Sequence, residues 1–195
     1  STLQAIMDNK PGSGLGATPR FVQFLKHTLQ TLSDGELAFL KLLKSFDTFL
    51  PVHDAIGIFR TLDHPLALEL MDQLQIQHLI QFDAHREAVQ MRPYLEELLK
   101  LDTKSKNQAL DSATAYYLNL LAQNADQKAL AEASPQLEQA IQNRLDKHRC
   151  ALYIQLFEHC THTKRWLDAT HLFQGAYHVL ERVGPLQRLL PLADA

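Results

Sequence analysis

The sequence predicts a mainly α-helical protein that contains one small β-hairpin. Along most of the chain apolar residues recur at three- and four-residue steps, which is the spacing of a helix that buries one face. One stretch departs from this spacing, because apolar and polar residues alternate in LIQFDAHREAVQM as they do in strands. Pro93 follows directly and cannot continue a strand ladder.

Composition narrows the class of protein. The 195 residues are 46% hydrophobic and 21% charged, which is ordinary for a folded protein. The net charge of -3 gives no overall attraction for nucleic acid or anionic lipid. Two cysteines are too few for a disulfide framework, and no apolar run reaches the roughly 18 residues that a membrane span needs. We therefore expect a cytoplasmic protein that does not contact a membrane.

Residues 1–32 are predicted to form a leading helical segment and a linker. Gly12, Gly14 and Gly16 suggest a phosphate-binding loop, but such a loop requires a Lys and then a Ser or Thr after its last Gly, and here Ala17 stands where the Lys would be, before Thr18. We interpret this stretch as a linker between a short helix and a second helix that begins at Pro19.

Three helices are predicted next. Ser33 and Glu36 have the spacing of a capping box, in which each side chain satisfies the other residue's backbone amide, so a helix should start there. A short helix is predicted around residues 55–62. A third is predicted in DHPLALELMDQLQIQ, where Asp63 suits the N-cap and Pro65 the first turn.

The hairpin is predicted to pair residues 79–82 with residues 88–91, with DAHRE as its turn, and a further helix is predicted in YLEELLKL. Three helices, a two-stranded wing and a helix are the order of a winged-helix domain, here residues 33–101. The hairpin would cover one edge of a three-helix core that is too small to shield itself.

Residues 108–195 are predicted to form a TPR-like array of α-helical hairpins after the polar linker DTKSKNQ. Apolar stripes run along ALDSATAYYLNLLAQ, PQLEQAIQNRLDKHRCALYIQLFEHC and KRWLDATHLFQGAYHVLERVG, and the last of these stripes alternates bulky and small residues. This alternation is what closely packed neighbouring helices need.

Three stretches resemble a known family: PRFVQFLKHTLQTLSDGELAFLKLLKSF, ALELMDQLQIQHLIQFDAHREAVQMRPYLEELLK and SATAYYLNLLAQ. They resemble the region after the nucleotide-binding core of signal-transduction ATPases with numerous domains (STAND ATPases). These are bacterial relatives of the nucleotide-binding regulators in plant resistance and animal apoptosis proteins. The resemblance implies a winged helix that relays the state of an upstream ATPase core. The chain itself would hold no cofactor, whereas the full-length protein would bind ADP or ATP.

The resemblance also points to a nucleotide-sensing residue. In the family, a His after the second wing strand lies in a Leu-His-Pro or Met-His-Asp triplet and approaches the phosphates of ADP. The matching triplet here is Met91, Arg92 and Pro93, so Arg92 replaces the His. A guanidinium can still contact phosphate, with a permanent charge. The alternative is that Arg92 is simply a solvated residue at the end of a strand.

Binding of DNA through the third helix is not expected. A winged helix that reads DNA needs Lys and Arg on this helix for phosphates and base edges. HPLALELMDQLQIQ instead carries Glu69 and Asp72 and has neither Lys nor Arg.

Two groups of residues invite other assignments. The stretch KHRCALYIQLFEHCTH is rich in metal-ligand types, but neighbours on a helix point to different sides, and its cysteines fall on the apolar stripe. We expect no metal site and, without a nucleophile motif, no enzyme activity. Trp166, Phe173 and Tyr177 are a candidate interaction surface, although aromatic residues at helical spacing usually pack in a core.

The expected function is therefore that of a non-catalytic regulatory module, a fragment of a nucleotide-switched signalling ATPase or transcriptional regulator. Its partners would be the upstream ATPase core or other protein subunits. One alternative is a stand-alone helical adaptor that binds other proteins. A winged-helix regulator that binds DNA is the third possibility.

Overall fold

The computed structural model describes residues 19–62, 67–126 and 135–183. This part of the chain is mainly helical and contains one three-stranded antiparallel sheet. The chain divides after Thr31 into two compact units, and helix α1 (Pro19–Thr31) is the described element of the first. The predicted leading helix and the glycine-containing linker lie outside the described residues.

The second unit starts with helix α2 (Asp34–Lys44), whose predicted capping box is confirmed. The Ser33 hydroxyl accepts a hydrogen bond from the Glu36 amide at 3.3 Å, and the Glu36 carboxylate accepts one from the Ser33 amide at 2.8 Å. Two otherwise unpaired amides of the first turn are thereby satisfied.

A strand that the sequence did not reveal follows α2. Strand β1 (Leu50–Pro51) has only two residues, so it shows no alternation that could be detected. Helices α3 (Val52–Thr61) and α4 (Ala67–Ile76) come next and confirm the predicted helices. The proposed cap and first-turn proline of α4, Asp63 and Pro65, lie outside the described residues.

The predicted hairpin is confirmed as strands β2 (Ile80–Phe82) and β3 (Ala88–Met91). The sheet order is β1-β3-β2, with Ile80 opposite Met91 and Leu50 opposite Val89. The core under this sheet consists of fully buried side chains from the three preceding helices and the strands: Phe39, Leu40, Leu43, Leu50, Ile58, Phe59, Leu74, Leu79, Ile80 and Val89.

The helix predicted in YLEELLKL is wrong. The chain forms a 3-10 turn at Pro93–Leu95 and further turns up to residue 98. Lys44 of α2 donates hydrogen bonds to the carbonyls of Glu96 and Leu99, so these carbonyls are satisfied without an α-helix.

The predicted linker DTKSKNQ is also wrong, because helix α5 (Thr103–Asp126) already starts within it. The carboxylate of Asp102 accepts hydrogen bonds from the Ser105 amide at 2.8 Å and the Ser105 hydroxyl at 2.7 Å. These bonds hold the pKa of Asp102 below its ordinary value. Polar composition concealed a helix N-cap.

Helices α6 (Pro135–His162) and α7 (Trp166–Val183) pack against each other as a helical hairpin, as predicted. Lys164 adopts φ 61° in the turn between them, and the Arg165 amide donates to the Cys160 carbonyl at 2.8 Å. A Cβ atom at Gly175 would lie 2.6 Å from Leu121 Cδ1. The absence of a side chain at Gly175 therefore permits close approach of α5 and α7.

Candidate functional site

The carboxylate of Asp54, in the first turn of α3, is fully buried. A carboxylate near a helix start is typical of a capping residue, but no side-chain cap is present at this terminus. The side chain instead points toward α5 and α6, where three side chains bind it. Capping therefore does not account for this carboxylate.

Arg149 of α6 binds both oxygens of Asp54. Its Nε lies 2.8 Å from Oδ2 and its Nη2 lies 2.8 Å from Oδ1, and the side chain of Arg149 is only 12% exposed. A two-armed contact of this kind fixes both distance and orientation between guanidinium and carboxylate. The charge pair is thus buried and geometrically specific.

Two adjacent tyrosines of α5 complete the site. The hydroxyl of Tyr117 donates to Asp54 Oδ2 at 2.9 Å, and that of Tyr116 donates to Oδ1 at 3.1 Å. Each carboxylate oxygen thus accepts two hydrogen bonds. A buried charge is tolerable under such conditions, because paired and bonded neighbours replace the lost water.

The electrostatics keep these groups in one protonation state. Burial and then the charge of Asp54 raise the pKa of Tyr117 and of Tyr116 well above the ordinary value. Burial would lower the pKa of Arg149, but its bonds to Asp54 outweigh burial and raise it. The phenols remain neutral donors and the guanidinium remains charged, which suits a structural link and not proton transfer.

Gly57, one turn after Asp54 in α3, makes room for this arrangement. A Cβ atom at this position would overlap the ring of Tyr116. The Tyr116 ring also meets Tyr117 edge-on, with ring centroids 5.3 Å apart. The absence of a side chain at Gly57 is therefore what lets Tyr116 cross α3 and reach the carboxylate.

Two more contacts join α6 to the part of the same unit that runs from α2 to β3, which we call the sheet-bearing part. Gln155 Nε2 donates to the carbonyl of Ser45, just after α2, at 2.8 Å. His148 Nε2 lies 3.5 Å from Asp83 Oδ2 in the hairpin turn. We call Asp54, Tyr116, Tyr117, Arg149 and Gln155 the junction. Through it, α6 contacts the sheet-bearing part at two separate places, the carboxylate of Asp54 and the carbonyl of Ser45.

A second polar cluster ties the three C-terminal helices together. His159 Nε2 lies 2.9 Å from Asp111 Oδ1, and Arg165 Nη1 lies 2.7 Å from the same oxygen. Arg165 also pairs with Asp168 at 2.6 Å. Asp111 is largely exposed, so this cluster contributes less per contact than the junction.

The predicted sensing residue Arg92 lies at the end of β3 and is half-buried. Its Nε donates to the carbonyl of Ile80 at 3.3 Å, and its Nη1 donates to Gln81 Oε1 at 3.2 Å. Both partners belong to the neighbouring strand β2. In this structure the guanidinium therefore braces the hairpin.

The predicted interaction residues are not all in the same environment. Trp166 and Tyr177 of α7 are exposed, as is Leu167. Phe173 is half-buried, and its ring centroid lies 6.0 Å from that of Phe157 on α6. The exposed aromatic residues thus lie at the beginning of α7 and three turns later, with packed residues between them.

The two cysteines considered as zinc ligands both lie on α6. Cys160 is buried, and burial raises the pKa of its thiol, while Cys150 is half-buried. Within residues 19–62, 67–126 and 135–183, no three His, Cys, Asp or Glu side chains are grouped as a metal ion would require. No helix in the same ranges is long and apolar enough to cross a membrane.

Sequence reasoning missed the junction almost entirely. Tyr116 and Tyr117 were assigned to an apolar stripe, and Arg149 was overlooked among the histidines and cysteines around it. The available signal was Asp54 and Gly57 at adjacent turns of a helix that is otherwise apolar on its inner side. An acidic residue on the inner side of a helix, next to a glycine, indicates that a hydrogen-bonding side chain from another element packs over the glycine and reaches the carboxylate.

Comparison of the chain with protein-family models, with curated proteins and with solved structures found no match.

Proposed function

We propose that this chain is a non-catalytic regulatory module that connects a winged helix to a TPR-like helical array. The order helix, strand, helix, helix, strand, strand supports the winged-helix assignment, as does the sheet order β1-β3-β2. The helical hairpin of α6 and α7, with α5 packed beside it, supports the array.

The observation that carries the proposal is the buried pair of Asp54 and Arg149 between these two parts. A switch relays a state only if its docked and released arrangements differ in their contacts. This pair provides such a difference, because separating Asp54 from Arg149 would either expose the charged groups to water or leave a charge buried without a partner. Movement of the sheet-bearing part would therefore be transmitted to α6.

The hydrogen bonds that the Asp54 carboxylate accepts support a role other than catalysis at this site. Four donors surround the carboxylate, and the two phenols are held in their neutral form. A general base needs an oxygen that can accept a proton from a substrate. Here both oxygens already accept hydrogen bonds from side chains of α5 and α6.

We also propose that the module belongs to a nucleotide-switched signalling ATPase. The support is the element order described above and the position of Arg92 directly after the second hairpin strand. The absent ATPase core would hold the nucleotide, and this chain would offer Arg92 to its phosphates. To do so, the guanidinium would break its hydrogen bonds of 3.2 to 3.3 Å within the hairpin. It would then bind the charged oxygens of the phosphates instead.

Thermal unfolding with and without excess ADP tests this assignment, on residues 1–195 and on the chain joined to the segment encoded before it. ADP should raise the Tm of the longer chain only, and Arg92→Ala should reduce that rise by ligand linkage. Arg86→Ala, which changes another arginine of the hairpin, is the matched control. An unchanged Tm for the longer chain contradicts the assignment.

A stand-alone protein adaptor is the second candidate. The inward bonding of Arg92 and the exposure of Trp166 and Leu167 favour it. Failure of the longer chain to respond to ADP would favour it further. A DNA-binding regulator ranks third, since α4 carries no cation.

A further inference from the structure

The outer face of α4 combines exposed apolar side chains with exposed acidic ones. Leu68 is 57% exposed and Ile76 is 71% exposed. With Asp72 they occupy positions i, i+4 and i+8, so they lie along one face, and the exposed Glu69 borders them. We call Leu68, Glu69, Asp72 and Ile76 the α4 face.

The opposite side of α4 is packed into the core. Met71 and Leu74 on this side are buried in the core, and the hairpin packs against the same helix. A surface on such an element is presented in a fixed shape and loses little entropy when a partner binds.

The two carboxylates of the α4 face have no ion-pair partner within residues 19–62, 67–126 and 135–183. Helix α4 itself contains no Lys or Arg. Arg86 of the hairpin borders the C-terminal end, where it donates to Gln75 at 3.0 Å and covers the Phe82 ring. The half of the face that carries both carboxylates is thus left negative.

We propose that the α4 face is a docking surface for a basic amphipathic segment of a protein partner. An apolar side chain of the partner would pack against Leu68 and Ile76, and its Lys or Arg residues would pair with Glu69 and Asp72. This is the helix-in-groove mode of recognition with complementary charge. The same carboxylates repel nucleic acid and acidic segments. This inference does not depend on the nucleotide assignment.

Fluorescence anisotropy with two labelled peptides tests the proposal. One is an amphipathic helical peptide with Leu on one face and Lys on the other, and its counterpart has Glu in place of every Lys. The protein should bind the Lys peptide, and binding should weaken with added salt because exposed charges are screened. Leu68→Ser, Ile76→Ser and Asp72→Lys should each weaken it about tenfold or more.

Two substitutions outside the α4 face serve as controls. Leu167→Ser removes an equally exposed leucine from α7, and Glu97→Lys reverses an exposed charge elsewhere. Both should leave binding unchanged, and circular dichroism verifies that every variant is folded.

Three outcomes would overturn the proposal. Equal binding of the Glu peptide would mean that charge does not select the partner. Binding that Leu68→Ser and Asp72→Lys leave intact would place the peptide elsewhere. Self-association of the unliganded protein that Leu68→Ser abolishes would identify a second copy as the occupant. None of these results depends on the response to ADP, so the two proposals fail separately.

Discussion

Arg149 on α6 holds Asp54 on α3 through both arms of its guanidinium, with each nitrogen 2.8 Å from a different carboxylate oxygen. The two residues are 95 positions apart in the sequence. Because the pair is buried, it links the sheet-bearing part to the C-terminal helices with a definite geometry.

Removing the cation should destabilise the fold strongly. Arg149→Met leaves Asp54 buried without its charge partner, so the free energy of unfolding in urea should fall by about 3 to 5 kcal/mol. Arg165→Met is the control, because Arg165 and its partners Asp111 and Asp168 are all at least partly exposed to water, so the expected loss is about 0 to 1 kcal/mol. Equal losses for the two variants would show that burial does not increase the contribution of the Asp54–Arg149 pair to the free energy of unfolding.

Adding one methyl group at Gly57 should also destabilise the protein. Ala is the better helix former by about 1 kcal/mol, but its Cβ would displace the Tyr116 ring from Asp54. We expect a net loss of about 1 to 3 kcal/mol by chemical denaturation.

Two comparisons separate this clash from a general effect of the substitution. Adding Tyr116→Leu to Gly57→Ala should make the methyl group tolerable. In Gly35→Ala the new Cβ would meet only the flexible end of Leu70 at 3.3 Å, so a small effect is expected. A Gly57→Ala protein more stable than the parent would refute the packing described for Tyr116.

The tyrosines of the junction should resist ionisation. Burial, and then the charge of Asp54, raise the pKa of Tyr117 and Tyr116 above the ordinary value of 10.0. A folded-state pKa above the unfolded one stabilises the fold fully below pH about 10, and that contribution is lost as the pH rises further.

Phenolate absorbance and circular dichroism, recorded together during an alkaline titration, test this prediction. At least two of the five tyrosines, Tyr116 and Tyr117, should ionise only as the helical signal disappears. In guanidinium all five should ionise together. Complete ionisation near pH 10 with an intact helical signal would be incompatible with the buried hydrogen bonds.

Asp83 should make the hairpin turn sensitive to acid. Burial raises the pKa of this carboxyl, but amides of Ala88 and Glu87 and the contact with His148 together lower it below 3.8. Its stabilising contribution is therefore present above the unfolded-state pKa and is lost as the pH falls through the folded-state value.

Denaturation at pH about 6 and about 2.5 measures this effect, with values chosen on either side of an ordinary aspartate pKa. Asp83→Asn should reduce the stability difference between the two conditions. Asp47→Asn, at an exposed position after α2, is the control. An unchanged difference in Asp83→Asn would mean that the turn does not depend on this charge.

Local signals were sufficient for most of the secondary structure. The capping box at Ser33, the alternation in the hairpin and the stripes of the long helices each depend on residues a few positions apart. Errors arose where a local signal was absent or misleading. Two-residue β1 had no period to detect, and the polar residues after Asp102 concealed a helix.

The junction could not be predicted in the same way. Its members come from three helices, and nothing near Asp54 in the sequence indicates that Arg149 will meet it. Only the tertiary packing of α3, α5 and α6 brings them together. By contrast, the acidic character of α4 was evident from the sequence, and the structure added the exposure of Leu68 and Ile76 beside it.

We expect the junction to make the sheet-bearing part and helix α6 open as one body. Native-state hydrogen exchange of the parent protein and of Arg149→Met tests it most directly. In the parent, amides of α3, β3 and α6 should share one opening free energy. In Arg149→Met, amides of α6 should exchange with a lower opening free energy than those of α3 and β3. If α6 already exchanges independently in the parent, or the two parts stay coupled without Arg149, the junction does not transmit movement between them.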